Sequence, residues 1–278
     1  MKKILYIAIA VYILLLTGCK YESYNNNYYY YGSKGNNNIG DKKIEGALPG
    51  VFSISDDEKV CFSKGNLQAT YNGTGYDWGF AANQWDYIGD APGNTTMKNQ
   101  SSGDVVDLFG WTARGMYDDK VKEYGINIST VPEAYGVDPN DECCDWGETI
   151  DSEGTWRILT IDEWNYLFKN NKYRNGVYVC GHRCVVLVPD SWDADIPIAG
   201  SYDEESWAVA EAAGAVCLPS AEWRESYGVH VWNQGYYWSS SPNGVYAYYL
   251  LFDSTGVYRD LFFSRIYGLS VRLVAPLE

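Results

Sequence analysis

Short runs of β-branched and aromatic residues alternate with turns rich in glycine, asparagine and aspartate from residue 51 onward. Such runs, as at 51–54, 60–62 and 77–80, are typical of short antiparallel strands. No internal repeat and no second linker interrupts the pattern. The sequence therefore predicts one loop-rich domain over residues 47–278.

Two segments of this domain carry helix signals instead. Thr160 stands three residues before Glu163, which predicts a capping box, and apolar residues then recur at helical spacing. A second helix is predicted from about Asp203 to Ala213, with acidic residues at its start and Gly214 after its end. Short strands combined with two main helices indicate the α+β class.

The first 46 residues follow a different pattern. Two lysines precede the apolar run 4–16, which is typical of a signal peptide over 1–18 and too short to span a bilayer. Leu16-Thr17-Gly18-Cys19 resembles the bacterial lipobox, so we expect Cys19 to become the lipidated first residue of an outer-membrane lipoprotein. The alternative is an ordinary cleaved signal with a chance cysteine. Residues 19–46 are rich in Asn and Tyr and lack an apolar period, which is typical of a tether.

The composition narrows the classes of function. Lys and Arg total 21 against 36 Asp and Glu, and the formal charge of −15 argues against a nucleic-acid partner. Aromatic residues make up 16 % of the chain, whereas disordered chains are poor in them. The chain has two histidines, His182 and His230, and neither has an obvious catalytic partner by spacing. We therefore expect no catalytic residue, no metal and no cofactor.

The cysteines offer the other candidate chemistry. Cys180 and Cys184 flank a predicted tight turn between two strands, so we expect a cross-strand disulfide in an exported protein. A zinc site that includes His182 is the alternative. Cys61 and Cys217 lie in apolar strand contexts, which are typical of buried free thiols.

Several ordered motifs resemble known families. Arg157-Ile158-Leu159-Thr160-Ile161-Asp162-Glu163-Trp164 is similar to a signature of formylglycine-generating-enzyme-type domains, which are a variant of the C-type lectin fold. Gly268-Leu269-Ser270-Val271-Arg272 resembles the Gly-Phe-Arg strand that closes this fold. Motifs such as Asn83-Gln84-Trp85-Asp86 are similar to surface lipoproteins of anaerobic gut bacteria. The resemblance implies a single C-type lectin-like domain.

The same resemblance argues against an enzyme. Family members that oxidise a substrate cysteine use a reactive cysteine pair late in the chain, and this sequence has no cysteine after Cys217. The Glu-Pro-Asn, Gln-Pro-Asp and Trp-Asn-Asp triplets of calcium-dependent lectins are missing as well.

The segment 235–274 has an unusual composition. Eleven of its 40 residues are aromatic, and it contains no Lys, Glu, Gln or Met. Some of the similar lipoproteins resemble variable proteins of diversity-generating retroelements, in which scrambled adenines turn Asn codons into most residues except Lys, Glu, Gln, Met and Trp. The resemblance implies a variable binding region, 236–267, whose positions are Tyr236, Gly244, Val245, Tyr246, Tyr249, Leu251, Asp253, Tyr258, Asp260, Leu261, Phe262, Phe263, Ser264, Ile266 and Tyr267. Its constant scaffold positions would be Trp238, Ala247, Leu250, Phe252, Val257, Arg265, Gly268, Val271 and Arg272.

The strand period supports this division. Between residues 248 and 253, even-numbered side chains suit a core and odd-numbered ones are mixed in polarity, so Tyr249 is assigned to the solvent face. We expect the aromatic and apolar residues of 258–267 to be mostly exposed and clustered with Tyr246 and Tyr249. The alternative is that Leu261, Phe262, Phe263 and Ile266 are core residues.

These observations predict a surface-anchored receptor or adhesin that binds a protein or cell-surface ligand through its C-terminal face. A sugar-binding lectin that uses the same face is the first alternative. An enzyme of the formylglycine-generating group is the second.

Overall fold

The structure, a computed structural model, describes residues 44–95, 101–111, 145–151, 153–225, 228–244 and 246–277. The predicted signal peptide, Cys19, most of the tether and Val245 lie outside the described residues. Residues Lys42–Glu278 form one compact unit. Ile44 already packs against the core, ahead of the domain start predicted at residue 47.

Strands dominate the described residues. The α-helices are α1 (Pro92–Thr95), α2 (Ile161–Asn170) and α3 (Glu204–Ala212), and a 3₁₀-helix covers Trp146–Thr149. The strands are β1 (Phe52–Ser53), β2 (Lys59–Phe62), β3 (Leu67–Tyr71), β4 (Tyr76–Phe80), β5 (Val105–Val106), β6 (Arg157–Ile158), β7 (Tyr173–Val179), β8 (His182–Leu187), β9 (Ser201–Tyr202), β10 (Val216–Pro219), β11 (Trp223–Glu225), β12 (Gly228–His230), β13 (Gly235–Asn243), β14 (Tyr246–Phe252), β15 (Val257–Ser264) and β16 (Leu273–Leu277). This mixture confirms the α+β class.

The strands form small, mostly antiparallel sheets. The four-stranded sheets have the orders β1-β2-β16-β6 and β10-β8-β7-β9, and the three-stranded sheets have the orders β4-β3-β5 and β13-β14-β15. β11 pairs with β12, and β7 pairs with β9 in the parallel direction. β16 lies beside β2, with Val274 opposite Phe62, so the last strand closes against the start of the domain.

The predicted capping box begins α2. The Thr160 hydroxyl accepts a hydrogen bond from the Glu163 N–H at 3.2 Å, and the Glu163 carboxylate accepts one from the Thr160 N–H at 2.7 Å. Arg157 donates to both oxygens of the same carboxylate, at 2.8 and 2.6 Å. The helix buries Trp164 and Leu167 on its predicted apolar face. The motif that resembles the family signature therefore joins β6 to α2.

The second predicted helix is also confirmed. The Asp203 carboxylate accepts a hydrogen bond from the Ser206 N–H at 2.9 Å and caps α3, and Gly214 follows the helix with φ +95°. Any side chain at 214 would meet Gly50, because a Cβ there would lie 2.7 Å from the Gly50 Cα.

The hairpin between β7 and β8 shows why the predicted Cys180–Cys184 disulfide is wrong. Its two-residue turn is Cys180-Gly181, with φ +49° and +86°, as a type I′ turn requires. Val179 pairs with His182, and Cys184 lies opposite Val177. Cys180 is thus a turn residue and cannot face Cys184 across the strands, and the two thiols are not bonded to each other.

The β13-β14-β15 sheet lies between two hydrophobic clusters. Leu250 and Phe252 belong to the cluster that includes Trp164 of α2. Trp238 and Tyr249 belong to the other cluster. The assignment of Tyr249 to the solvent face is therefore wrong: its side chain is only 7 % exposed, because the second cluster covers that face of the sheet.

The closing motif 268–272 has a structural role. The buried Arg272 guanidinium donates to Gln84 Oε1 at 2.9 Å and to Asn66 Oδ1 at 3.4 Å. Burial lowers the pKa of Arg272 to about 10, which leaves the side chain protonated at neutral pH. A Cβ on Gly268 would lie 2.7 Å from the Arg224 guanidinium, which would have to move to admit it.

Candidate binding face

β15 carries many of the predicted binding positions and is the terminal strand of the β13-β14-β15 sheet. Its side chains alternate between half-buried and exposed, and Tyr258, Asp260 and Phe262 are the exposed ones. Leu261 and Phe263 point to the opposite side from Phe262 and are half-buried. The register of β15 against β14 shifts between Tyr258 and Leu261, so Tyr258, opposite Leu251, and Phe262, opposite Tyr248, lie on different sides of the sheet.

The connection between β13 and β14 is held by Arg265. This buried side chain donates from Nε to the Tyr246 carbonyl at 3.0 Å and from Nη2 to the Gly244 carbonyl at 2.6 Å. Its guanidinium also lies 4.1 Å from the ring centroid of Trp111, within the range of a cation–π interaction. Arg265 therefore fixes the backbone from which Tyr246 projects.

Tyr246 and Phe262 form an exposed aromatic pair on one side of the sheet. Their ring centroids are 5.5 Å apart, and the side chains are 43 % and 51 % exposed. Tyr248, which lies opposite Phe262 across the strands, supports the pair and packs against the α2 cluster. Exposed rings on a paired strand can contribute contact area at a low entropic cost.

An aromatic cluster, defined as Trp223, His230, Tyr236, Tyr249, Phe263 and Tyr267, lies on the other side of the sheet. The Tyr236 and Tyr249 rings stack with centroids 5.7 Å apart, and Phe263 lies 5.5 Å from Tyr249 and 4.2 Å from Tyr267. Tyr236 and Tyr249 are each only 7 % exposed. These two predicted binding positions therefore form the buried base of the cluster and not its surface.

Part of this cluster was not predicted from the sequence. Pairing of β11 with β12 places Trp223 opposite His230, and their rings stack 4.0 Å apart at an angle of 7°. His230 Nε2 lies 2.7 Å from Glu225 Oε1, a partner that spacing alone did not reveal. Trp232 follows with 63 % of its side chain exposed. His230 and Trp232 are aromatic residues two positions apart, and this spacing was the available sequence signal. Both residues lie before the segment 235–274 with the unusual composition.

Glu222 holds the loop that presents Trp232. Its buried carboxylate accepts hydrogen bonds from the backbone N–H groups of Trp232, at 2.7 Å, and of Asn233. Burial raises the pKa of Glu222 above its usual value, although these hydrogen bonds partly oppose the increase. The carboxylate is committed to the loop backbone, so we assign it a structural role.

Asp253 is also a structural residue. Its Oδ1 accepts hydrogen bonds from the N–H groups of Thr255, at 2.7 Å, and Gly256, at 3.2 Å, in the turn between β14 and β15. Burial raises the pKa of Asp253, but these hydrogen bonds outweigh that effect and hold it below its usual value. The Thr255 hydroxyl lies 2.6 Å from the Tyr258 hydroxyl, which ties the exposed Tyr258 ring to the same turn.

The predicted exposure of residues 258–267 is therefore correct only in part. Phe262 and Tyr258 are exposed, whereas the other apolar and aromatic residues of the segment are half-buried, and none of them is fully buried. Leu261 and Phe263 do pack against a core cluster, as the alternative expected, but Phe262 does not fit that alternative. Among the remaining predicted positions, Gly244 is exposed and the half-buried ones are Leu251, Ser264, Ile266 and Tyr267.

The aromatic cluster is electrically neutral at its base. Burial raises the pKa of Tyr249 to about 12 and also raises that of Tyr236, so both phenols stay protonated at physiological pH. The Tyr236 hydroxyl donates to Gln234 Oε1 at 2.6 Å. Within the described ranges, no group of three His, Cys, Asp or Glu side chains is arranged to hold a metal ion.

A separate open groove of about 520 Å³ shares no residue with the aromatic cluster. Two of the three cations that line it have backbone partners. Lys172 donates to the Ala194 carbonyl at 3.2 Å, and Arg174 donates to the Ile198 carbonyl at 2.7 Å. Both contacts support the loop that forms the groove wall.

No protein-family model, curated protein or solved structure matches the chain. In the part of the chain that the structure describes, no helix has the length and apolar character needed to cross a membrane.

Proposed function

We propose that this protein is a surface-displayed lipoprotein that binds a protein or cell-surface ligand through its C-terminal region. The proposed binding residues lie on both sides of the β13-β14-β15 sheet: the Tyr246–Phe262 pair on one side, and Tyr258, Trp232 and the outer part of the aromatic cluster on the other, with Asp260 at the register shift of β15. The membrane anchor is the lipid on Cys19, and the ligand belongs to another cell, a phage or a host surface.

One observation carries the proposal: burial separates the variable positions from the scaffold positions over residues 236–272. The proposed scaffold positions Trp238, Ala247, Leu250, Phe252, Arg265, Gly268, Val271 and Arg272 are buried, and Val257 is half-buried. The proposed variable positions that the structure describes retain solvent exposure, with Tyr236 and Tyr249 as the two exceptions. A scaffold that supplies its own core can tolerate changes at the exposed positions.

The chemistry of the exposed residues favours a protein ligand. The exposed side chains of the terminal strand β15 are Tyr258, Asp260 and Phe262, a mixture of aromatic and charged residues. Protein interfaces concentrate their binding energy in a few aromatic or Arg anchors within a polar surround, which matches this mixture.

The proposal includes a C-type lectin-like fold and diversification by a retroelement. β16, the strand after the motif that resembles Gly-Phe-Arg, pairs with β2 near the start of the domain, in keeping with a closing strand. The proposal does not include catalysis: Cys184 and Cys217 lie close together, but both are fully buried and no substrate could reach them.

A sugar ligand bound by the same C-terminal region is the second candidate. Trp232 is 63 % exposed and its ring lies 5.4 Å from that of His230, so an aromatic surface is available for stacking against a sugar ring.

Two experiments test the proposal. Sequencing the DNA downstream of the gene tests diversification: we expect a reverse transcriptase gene and a near-copy of codons 236–274 that differs at adenines, and their absence would contradict this part. Binding of the purified domain to arrays of bacterial surface proteins and of glycans tests the face itself.

The array experiment uses the Tyr246→Ala/Phe262→Ala double variant and a Tyr178→Ala control, because Tyr178 is 50 % exposed on the separate sheet formed by β10, β8, β7 and β9. We expect the double variant to lose at least ten-fold in affinity for a surface protein, and the control to bind normally. A ligand that is retained by the double variant but lost with Trp232→Ala, on the glycan array, would favour the sugar candidate.

A further inference from the structure

Two buried cysteines on neighbouring strands face each other in the core. Cys184 of β8 and Cys217 of β10 have their Sγ atoms 2.7 Å apart, and both side chains have no solvent exposure. This separation is far inside the contact distance of unbonded sulfur atoms. Closing it to a disulfide of about 2.05 Å requires a shift of about 0.6 Å, shared between two side chains.

We propose that Cys184 and Cys217 form a disulfide in the exported protein. The inference rests on the export that is part of the proposed function, because disulfides persist in oxidising compartments and not in the cytosol. Each thiol loses one proton and one electron as the S–S bond forms. The two electrons pass by thiol–disulfide exchange to the disulfide of an exported oxidoreductase, which is reduced to two thiols.

Strand pairing explains why these two cysteines meet. Cys184 lies opposite Pro219, and Cys217 is two residues before Pro219, so both sulfurs project from the same face of the sheet as diagonal neighbours. Cys180 is placed in the hairpin turn, and the Cys61 thiol points to the Ala275 carbonyl in a different cluster.

Burial determines when the bond can form. The thiolate is the reactive species, and burial raises the pKa of the Cys217 thiol well above its usual value. The Cys217 N–H is also bonded to Gln84 Oε1 at 2.8 Å, so the strand is held in place. Oxidation is therefore fast while β8 and β10 assemble and slow once the core has closed, and the finished disulfide is shielded from reductants.

The test is a peptide map of the full chain exported with its own leader and denatured without reductant in the presence of N-ethylmaleimide, so that buried free thiols are also labelled. We expect a cross-linked peptide pair that contains Cys184 and Cys217 and is two hydrogens lighter than the free peptides. We expect Cys61 and Cys180 to carry the maleimide. Maleimide on both Cys184 and Cys217, or a link from either of them to another cysteine, would overturn the proposal.

A melting experiment supplies an independent readout. Reductant added during unfolding should lower the Tm of the exported protein by roughly 5–15 °C. The matched Cys184→Ala/Cys217→Ala variant should show no such shift, whereas Cys61→Ala should keep it. A reductant shift that survives in the double variant would contradict the assignment. Neither readout needs a ligand, so failure here leaves the binding proposal standing, and failure of binding leaves the disulfide standing.

Discussion

The ring of Phe252 occupies the space that a side chain on Gly235 would need. The two residues are paired across β13 and β14, and a Cβ built on Gly235 would lie 2.0 Å from Cζ of Phe252. Phe252 itself is fully buried against the α2 cluster. This contact fixes how the β13-β14-β15 sheet, which carries the proposed binding residues, packs on the rest of the domain.

Gly235→Ala should therefore destabilise the domain by about 3 kcal/mol, because the new methyl group forces the Phe252 ring out of its position. The Gly235→Ala/Phe252→Leu double variant should be more stable than the sum of the two single changes predicts, since leucine gives the methyl group room. Urea unfolding of the four proteins measures this coupling. Additive losses would show that the ring and the glycine do not constrain each other.

Truncation to alanine should destabilise the domain strongly at Tyr249 and hardly at all at Phe262. Both are aromatic residues of the same sheet, and both were predicted to be exposed. Tyr249 is 7 % exposed and stacked on Tyr236, so Tyr249→Ala should cost about 3–5 kcal/mol. Phe262 is 51 % exposed, so Phe262→Ala should stay within about 0.5 kcal/mol. The Tm values of the two variants are compared with that of Trp238→Ala, which serves as the core reference. A Tm for Phe262→Ala as low as that of Trp238→Ala would make Phe262 a structural residue.

The sequence predicted the features that depend on local chemistry. The capping box at Thr160 and Glu163 needs only side chains three residues apart, and the structure has both of its hydrogen bonds. The end of α3 at Gly214 follows from the freedom of glycine at positive φ, which is also local. Class and helix positions could thus be derived without tertiary information.

The errors have a common cause in tertiary packing. Period two divided β14 into two faces, but it could not show that a second cluster covers the face of Tyr249. Spacing between Cys180 and Cys184 suggested a bridge, but the turn starts at Cys180 itself and the sulfur that meets Cys184 comes from β10. Trp223 and His230 meet through the pairing of β11 with β12, so the unusual composition of residues 235–274 gave no indication of them.

Lipidation of Cys19 remains a prediction from the Leu16-Thr17-Gly18-Cys19 run. Wild-type protein should incorporate radiolabelled palmitate and fractionate with membranes, because two or three acyl chains give stable anchoring. Cys19→Ser should lose both the label and the membrane association, whereas Cys61→Ser, in the folded domain, should keep them. Soluble wild-type protein with an unmodified Cys19 by mass spectrometry would contradict the prediction.

Asp107 should give the domain a specific dependence on pH. Its carboxylate is fully buried, where it accepts hydrogen bonds from Asn94 Nδ2 and from the Ile88 N–H, each at 2.7 Å. Burial raises the pKa of Asp107 to about 6, and the hydrogen bonds only partly oppose the increase. The carboxyl group is therefore protonated more readily in the folded chain than in the unfolded one, in which its pKa is about 3.9.

The sign of the effect follows from proton binding. Between about pH 4 and pH 6 the folded state holds more protons at Asp107 than the unfolded state, so the free energy of unfolding falls as pH rises through this window. The contribution is about 3 kcal/mol over the whole window and is constant above about pH 7.

Asp107→Asn removes this titration and keeps the shape of the side chain, so the difference in unfolding free energy between wild type and variant isolates the residue. Urea unfolding is measured at intervals from pH 4 to pH 8. The unfolding free energy of the wild type should fall relative to that of Asp107→Asn as pH rises to about 6, and the difference should then stay constant. Parallel curves for the two proteins would mean that Asp107 titrates in the folded state as it does in the unfolded chain.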